Sequence, residues 1–429
     1  MARSRSFFAL SALVIVATTV AACTPSVSSS APQDPFAAPI VPGQSARASA
    51  SNGGVRGTIN APTPRTGSGV VTVALVGGAQ LPTETAQEFT KATGFSIAVV
   101  PVDGVDSIAQ ADADVVLGLD GADALQAAAA AGTIASVAPQ DTTTLTGTVL
   151  EGAPAAVAYG RDDVCVIADK SWMSANSRPL PTSFHDLTAP RVRALLALPD
   201  PASSSVGRAF VQEAAAQTGE GLGTFVQTLN PRVDATLGET ISAWSAGTHV
   251  SDSYLSEVVG SASGTSGSYP LVVAPRSLAA AAATNTGADS YGTAVSSTCI
   301  ARIMYAAAVS APATDGAESL IAWLQGQVAQ RSLATTGAAY PIDGVLATDT
   351  KAAWLMGISG ETVVADETVG SLDALDAWLS TWKSALVSPV SIATTDPAEE
   401  SAANPDVTTA RDETSEQDPG VDPDDDGDE

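Results

Sequence analysis

Two apolar periodicities alternate along the middle of the chain. The run Val70-Val-Thr-Val-Ala-Leu-Val76 is apolar and β-branched, the pattern of a strand buried on both faces of a parallel sheet. Pro82 opens a helical spacing with Ala86, Phe89 and Ala92 on one face, and Gly94 stops it. Phe95 to Val100 and Ala113 to Gly118 read as further strands, followed by an Ala-rich helix from about Ala122 to Ala131. Strands and helices in this alternation predict a doubly wound α/β lobe.

A second alternation fills the stretch between Val164 and Thr298. It comprises a strand at Ala194 to Leu198, helices at Ser205 to Thr218, Leu222 to Leu229 and Thr240 to Ala246, and a strand at Leu271 to Ala274. After Cys299 come a strand to about Ala308, a helix from Asp315 to Val328 and a last helix from Leu372 to Val387. In that last helix Leu372, Leu375, Leu379, Trp382 and Leu386 share a face. The order predicts one lobe from 70–162 plus 304–390 and a second from 163–303, joined by two crossover strands that carry Cys165 and Cys299. Paired crossovers make a hinge, and the cleft between such lobes encloses a small solute.

The ends of the chain change the picture from fold to address. Arg3 and Arg5, the apolar run Phe7 to Ala22 and the close Val20-Ala-Ala-Cys23 form an export signal, residues 1–23. The run is shorter than the roughly 20 residues of a permanent membrane span. Cys23 in that place resembles the bacterial lipobox, which implies cleavage before it, lipid on it and tethering to the outer face of the cytoplasmic membrane; the rivals are plain secretion and an uncleaved anchor. Residues 24–69 are Ser, Ala, Pro, Thr and Gly with almost no large apolar side chain, the composition of a disordered spacer. The other end, 391–429, reads as a disordered acidic tail: from Thr395 onward fourteen Asp and Glu face one basic residue, Arg411. The tail holds about half of the formal net charge of −27. A surface of that sign repels phosphate backbones, which argues against a nucleic-acid partner.

Candidate chemistry is sparse. With 2 His, 6 Tyr and no Gly-x-Ser-x-Gly elbow, metal, iron-tyrosinate and Ser-hydrolase chemistry lack their residues, so neither enzymatic activity nor a cofactor or metal is expected. Export to an oxidising place leaves Cys165 and Cys299 with a disulfide as the default reading. The rival, a catalytic thiol, needs a His partner, and neither His185 nor His249 sits in a supporting motif.

Several segments resemble one family. Val102-Asp-Gly-Val105, Ala113-Asp-Val-Val-Leu-Gly-Leu-Asp120, Leu198-Pro-Asp-Pro-Ala-Ser-Ser-Ser205 with Gly207, Tyr340-Pro341 and Ala377-Trp-Leu-Ser-Thr-Trp382 occur in the order seen in thiamine-binding receptors of ABC importers. The resemblance covers about Val70 to Val387. It implies a two-lobed periplasmic-binding-protein-like fold and a monomeric, lipid-anchored receptor that hands its solute to an ABC permease. Cys165 and Cys299 are also similar to a cysteine pair in such receptors from high-G+C Gram-positive bacteria.

In that resemblance Asp103 stands where the family supplies a carboxylate, Ser204 where it supplies a hydroxyl, and Tyr340 keeps an aromatic beside the cleft. Where the family places further aromatics, this chain has Gly77-Gly-Ala-Gln80, Gly238-Glu239, Ala274-Pro275 and Ala338. Glu239 then offers ion pairing to a cation in place of an aromatic face. The expected ligand is thiamine, a phosphate of it, or another small cationic or polar solute. Each residue has a plainer reading: Asp103 as a turn residue, Asp120 and Ser203 to Ser205 as helix caps, Tyr340 as a rim aromatic, Glu239 as a solvated side chain. The competing function is a lobed envelope lipoprotein that kept the fold, lost the pocket and serves as a scaffold or interaction module.

Overall fold

The computed structural model describes residues 62–130, 133–135, 149–150, 152–261, 263–309, 313–342, 344–357 and 372–387. The export signal, Cys23, most of the spacer and the acidic tail lie outside them. Two five-stranded sheets form the frame. The first has the order β2-β1-β3-β10-β4, built from β1 (Gly69–Leu75), β2 (Phe95–Pro101), β3 (Val115–Leu119), β4 (Val157–Arg161) and β10 (Ile303–Ala308). β1 runs parallel to β2 and β3, while β10 is antiparallel to both β3 and β4. The second has the order β7-β6-β8-β5-β9, from β5 (Val164–Asp169), β6 (Leu196–Pro199), β7 (Arg232–Asp234), β8 (Leu271–Pro275) and β9 (Gly292–Ala294).

Alternating side chains give each sheet two buried faces, as the continuous apolar runs require. Val71, Val73 and Leu75 pack with Phe89 of α1 (Thr83–Thr93) and with α9 (Asp315–Leu324) and α10 (Gln327–Thr336). Ala74 and Val76 pack on the opposite side with Ala124 of α2 (Gly121–Ala129). In the second sheet Val164, Val166 and Ala168 face α4 (Ser205–Thr218) and α5 (Leu222–Leu229). Cys165 and Ile167 face α6 (Leu237–Ala243), α7 (Asp252–Tyr254, continued by a π turn, Leu255–Val259) and α8 (Ser277–Ala281). A short α3 (Lys170–Ala175) follows β5. The expected α/β, two-lobed architecture is present.

Both crossovers lie where expected, although Cys299 follows a short turn, Ser296–Thr298, rather than riding on a strand. β4 leaves the first sheet through Asp162 and Asp163 and becomes β5 of the second; the chain returns from Cys299 to Arg302 into β10. The crossovers run antiparallel and touch: Val164 exchanges backbone hydrogen bonds with Ile300 (3.1 and 2.9 Å), and Asp162 N donates to Arg302 O (3.0 Å). A Cys165–Cys299 disulfide staples them across a sequence separation of 134.

Four expectations need correction. The last helix, α11 (Leu372–Leu386), is not confined to the first lobe: Trp382 and Ala385 join the core of the second, with Trp382 edge-on to Phe210 at 6.0 Å. Leu375 reaches back onto Ala122, and Trp378 and Leu379 pack against both clusters. The helix expected over 315–328 breaks at Gln325-Gly326, because Gly326 turns to extended geometry (ψ 152°) and begins α10. The helix expected from Thr240 starts earlier, at Leu237, capped by Thr236. Order also begins before residue 70: Arg65 pairs with Asp315 (2.6 Å) and Glu318 (2.9 Å), and Gly67 N donates to Thr93 O (2.8 Å).

Candidate functional site

The carboxyl ends of the parallel strands of both sheets face one another, the edge at which open α/β sheets take ligands. After β1 the chain turns through Gly77 and Gly78, both in the left-handed region (φ +61° and +80°). A Cβ on Gly77 would lie 2.6 Å from Ser205 Oγ and 2.9 Å from Arg302 Nη1; one on Gly78 would lie 2.9 Å from Leu237 Cδ2. Glycine here lets the two lobes close on each other.

Away from the hinge, polar ties cross between the lobes. Leu81 N donates to Glu257 Oε2 at 2.8 Å, and Arg208 at the start of α4 forms an ion pair with Asp123 in α2. Burial, with the nearby Glu84 carboxylate adding to it, raises Glu257 to about 7 against the opposing pull of the Leu81 N–H. Burial also holds Asp123 well above the usual carboxylate range, although Arg208 pulls it down.

The Leu81–Glu257 contact stands between two cavities. The smaller, about 270 Å³, is lined by 77–79 and 101–103 of the first lobe and by Ser204, 236–238 and 257–260 of the second. Its charged side chains are both carboxylates, Asp103 and Glu257, and its lining includes no aromatic ring. The larger, about 790 Å³, lies between α1 and α10 on one side and Ser251, Ser253 and Ala281 on the other.

Behind the smaller cavity the hinge buries a dense set of charges. Arg161 Nε and Nη2 donate to Asp163 Oδ1 and Oδ2 (2.6 and 3.1 Å). Arg302 donates from its backbone N to Asp163 Oδ1 (3.2 Å), from Nε to Asp162 O (3.0 Å) and from Nη1 to Gly77 O (2.7 Å). Asp162 Oδ1 accepts from Ser277 N (3.0 Å), and burial lifts its carboxyl to about 6 against the pull of Arg302.

The residues expected at the site separate. Asp103 lines the smaller cavity as an exposed side chain, and the following Gly104 packs so tightly that a Cβ would sit 2.7 Å from Ser203 O of the other lobe. Ser204 lines it too, as the N-cap of α4, with Oγ accepting from Gly207 N at 3.5 Å. Glu239 does not line it. Its carboxylate folds back to accept Ala235 N–H (2.9 Å) while Thr236 Oγ1 accepts Glu239 N–H (3.1 Å), a variant of the capping box in which the side chain serves its own helix start. Tyr340 lines neither cavity: it is half-buried against Ala280, Ala334, Ala352 and Met356, its backbone paired to Arg161. Asp120 caps α2 by accepting Asp123 N–H at 2.8 Å.

Sequence reasoning missed Glu257, Asp123, Arg208 and the hinge charges. Single acids inside apolar runs, Glu257 in Leu255-Ser-Glu-Val-Val259 and Asp162-Asp163 between two strands, were the available signal.

Residues 71–338 match the family described as bacterial extracellular solute-binding protein, and the chain belongs to that family. Solved structures agree in fold. A periplasmic thiamin binding protein aligns with a TM-score of 0.54 at 18% identity, over 76% of this chain and 99% of the other. The periplasmic binding protein AfuA from Actinobacillus pleuropneumoniae, with exogenous fructose-6-phosphate bound, gives 0.51 at 12% identity over 74% and 99%. The apo ferric ion-binding protein A of Pasteurella haemolytica gives 0.50 at 14% over 75% and 99%. No curated protein sequence matches the chain.

Proposed function

We propose that this chain is the lipid-anchored receptor of an ABC importer, tethered through Cys23 outside the cytoplasmic membrane, and that the smaller cavity captures a compact cationic solute of the thiamine type for the permease. The observation that carries the reading is the pair of carboxylates that meet there, Asp103 from one lobe and Glu257 from the other, with Ser204 as a hydroxyl beside them. A cation between them is attracted to both lobes at once, so binding and closure are one event. Without an aromatic face in the lining, affinity rests on ion pairing rather than on stacking. Asp103 is exposed and therefore reachable by a solute entering from the mouth.

Calorimetric titration of the purified chain against thiamine, its phosphates, small organic cations and small anions tests this. Binding of a cation at micromolar affinity or better, weakened at least tenfold in Asp103→Ala (about 1.4 kcal/mol), is the expected result. Silence across the panel from a folded sample overturns it. The second reading, an envelope scaffold, is favoured by Val328, Val345 and Trp354, which are 61, 72 and 51% exposed on neighbouring segments of the first lobe, and silence in the titration would shift the assignment to it.

A further inference from the structure

The larger chamber between the lobes carries polar groups that nothing in the fold uses. Gln80 is 8% exposed, lines this chamber, and its buried amide nitrogen has no hydrogen-bond partner. A buried donor without an acceptor costs roughly 1–3 kcal/mol, so its position calls for an acceptor from outside the chain. Glu84 and Glu88 lie one turn apart on the same face of α1, and Arg331 and Lys351 lie on the adjacent α10 and the segment after it, all on the first-lobe side of the chamber. Among the described residues neither glutamate forms an ion pair with either cation. Arg331 donates Nη1 to the carbonyls of Leu346 and Thr348, which fixes its place, whereas Lys351 has no acceptor among the described residues.

We propose that this chamber is a second binding site, for a short zwitterionic peptide. The formal charges of its lining cancel, as those of a zwitterion do, with the acids on α1 and the bases on α10 and the segment after it. A peptide ammonium meets Glu84 and Glu88, its carboxylate meets Lys351, and a peptide carbonyl between them accepts from Gln80 Nε2. Pro82, Val328 and Leu346 supply apolar lining for side chains, and about 790 Å³ suits a ligand of that size. The site is independent of Asp103 and of the cation reading of the smaller cavity, and shares with it only the Leu81–Glu257 wall.

Calorimetry on the full chain with trialanine as probe, and with putrescine, succinate and sorbitol as comparators, decides the matter. The expected result is trialanine binding with a preference over all three comparators. Lys351→Met, and separately Glu84→Gln combined with Glu88→Gln, each weaken it by about tenfold or more, a change of about 1.4 kcal/mol. Lys351→Met at the same time improves putrescine binding, and the double glutamine variant improves succinate binding; a merely structural role for these residues would produce neither gain. Gln80→Ala weakens trialanine in a chain whose thermal unfolding matches the parent. No heat with trialanine at millimolar concentration, sorbitol binding in its place, or an isotherm indifferent to the charge variants overturns the proposal.

Discussion

The hinge and the contacts that bridge the two lobes use the same kinds of group to opposite effect. At the hinge Arg161 and Asp163 are two residues apart in sequence, and the crossovers that carry the remaining charges are stapled by Cys165–Cys299. Between the lobes the partners come from different pieces: Glu257 and Leu81 are 176 residues apart, Arg208 and Asp123 85. When the lobes part, the first set stays together and the second set separates. A buried charge pair is a fixed joint when its members ride on one piece of the molecule and a latch when they ride on two. Closing the latch places Glu257 and Asp123 in a dry setting, which is why their carboxyls hold protons so far above the usual range.

The sharpest way to break the comparison is to unstaple the hinge. Replacing Cys165 and Cys299 together by Ser should remove stability approaching 4 to 5 kcal/mol on a chain-entropy estimate, read as a shifted midpoint in guanidinium unfolding. Asp163→Ala follows, leaving Arg161 without its bidentate acceptor; a loss of about 3–5 kcal/mol is expected. An unchanged midpoint for either would show that the joint is not fixed by these groups. Between the lobes the expected effect is on closure. Glu257 has a higher carboxyl pKa when closed than when exposed, so the closed state binds more protons between about 4.5 and 7. Closure is thus favoured as pH falls through that window and disfavoured as it rises. Scattering measurements of the lobe separation across this range should show the trend, and Glu257→Gln should reduce it to the part that Asp123 contributes. The smallest effect belongs to Glu239→Ala, a loss of about 1 kcal/mol from the start of α6 with cation affinity unchanged; a large affinity loss would return Glu239 to the ligand site.

Much of the frame was legible because strand and helix periodicities are local. The runs at Val70 and Phe95, the helix after Ser204 and the cysteine-bearing crossovers all stand where their patterns put them. Partner choice was not legible. The apolar face of Leu375, Trp378, Leu379 and Trp382 announces a helix that packs, yet says nothing about which lobe receives it. The site was half legible for the same reason. Asp103 and Ser204 follow strands whose ends define the cleft, whereas Glu239 turns back onto its own helix and Tyr340 packs beside the hinge. Glu257 escaped notice because its acceptor role depends on a backbone N–H 176 residues away.

The placement of β10 and α11 also governs how the chain can be assembled when it emerges N-terminus first. β10 sits between β3 and β4, so the first sheet lacks an interior strand until residue 303 has arrived. The second lobe is continuous from 163 to 303, but the cluster of Phe184, Phe210 and Phe225 lacks Trp382 until residue 382 has arrived. Neither lobe is finished early. A nascent chain interrupted before residue 372 leaves that aromatic cluster uncovered, open to chaperones and proteases, and the arrival of α11 closes it.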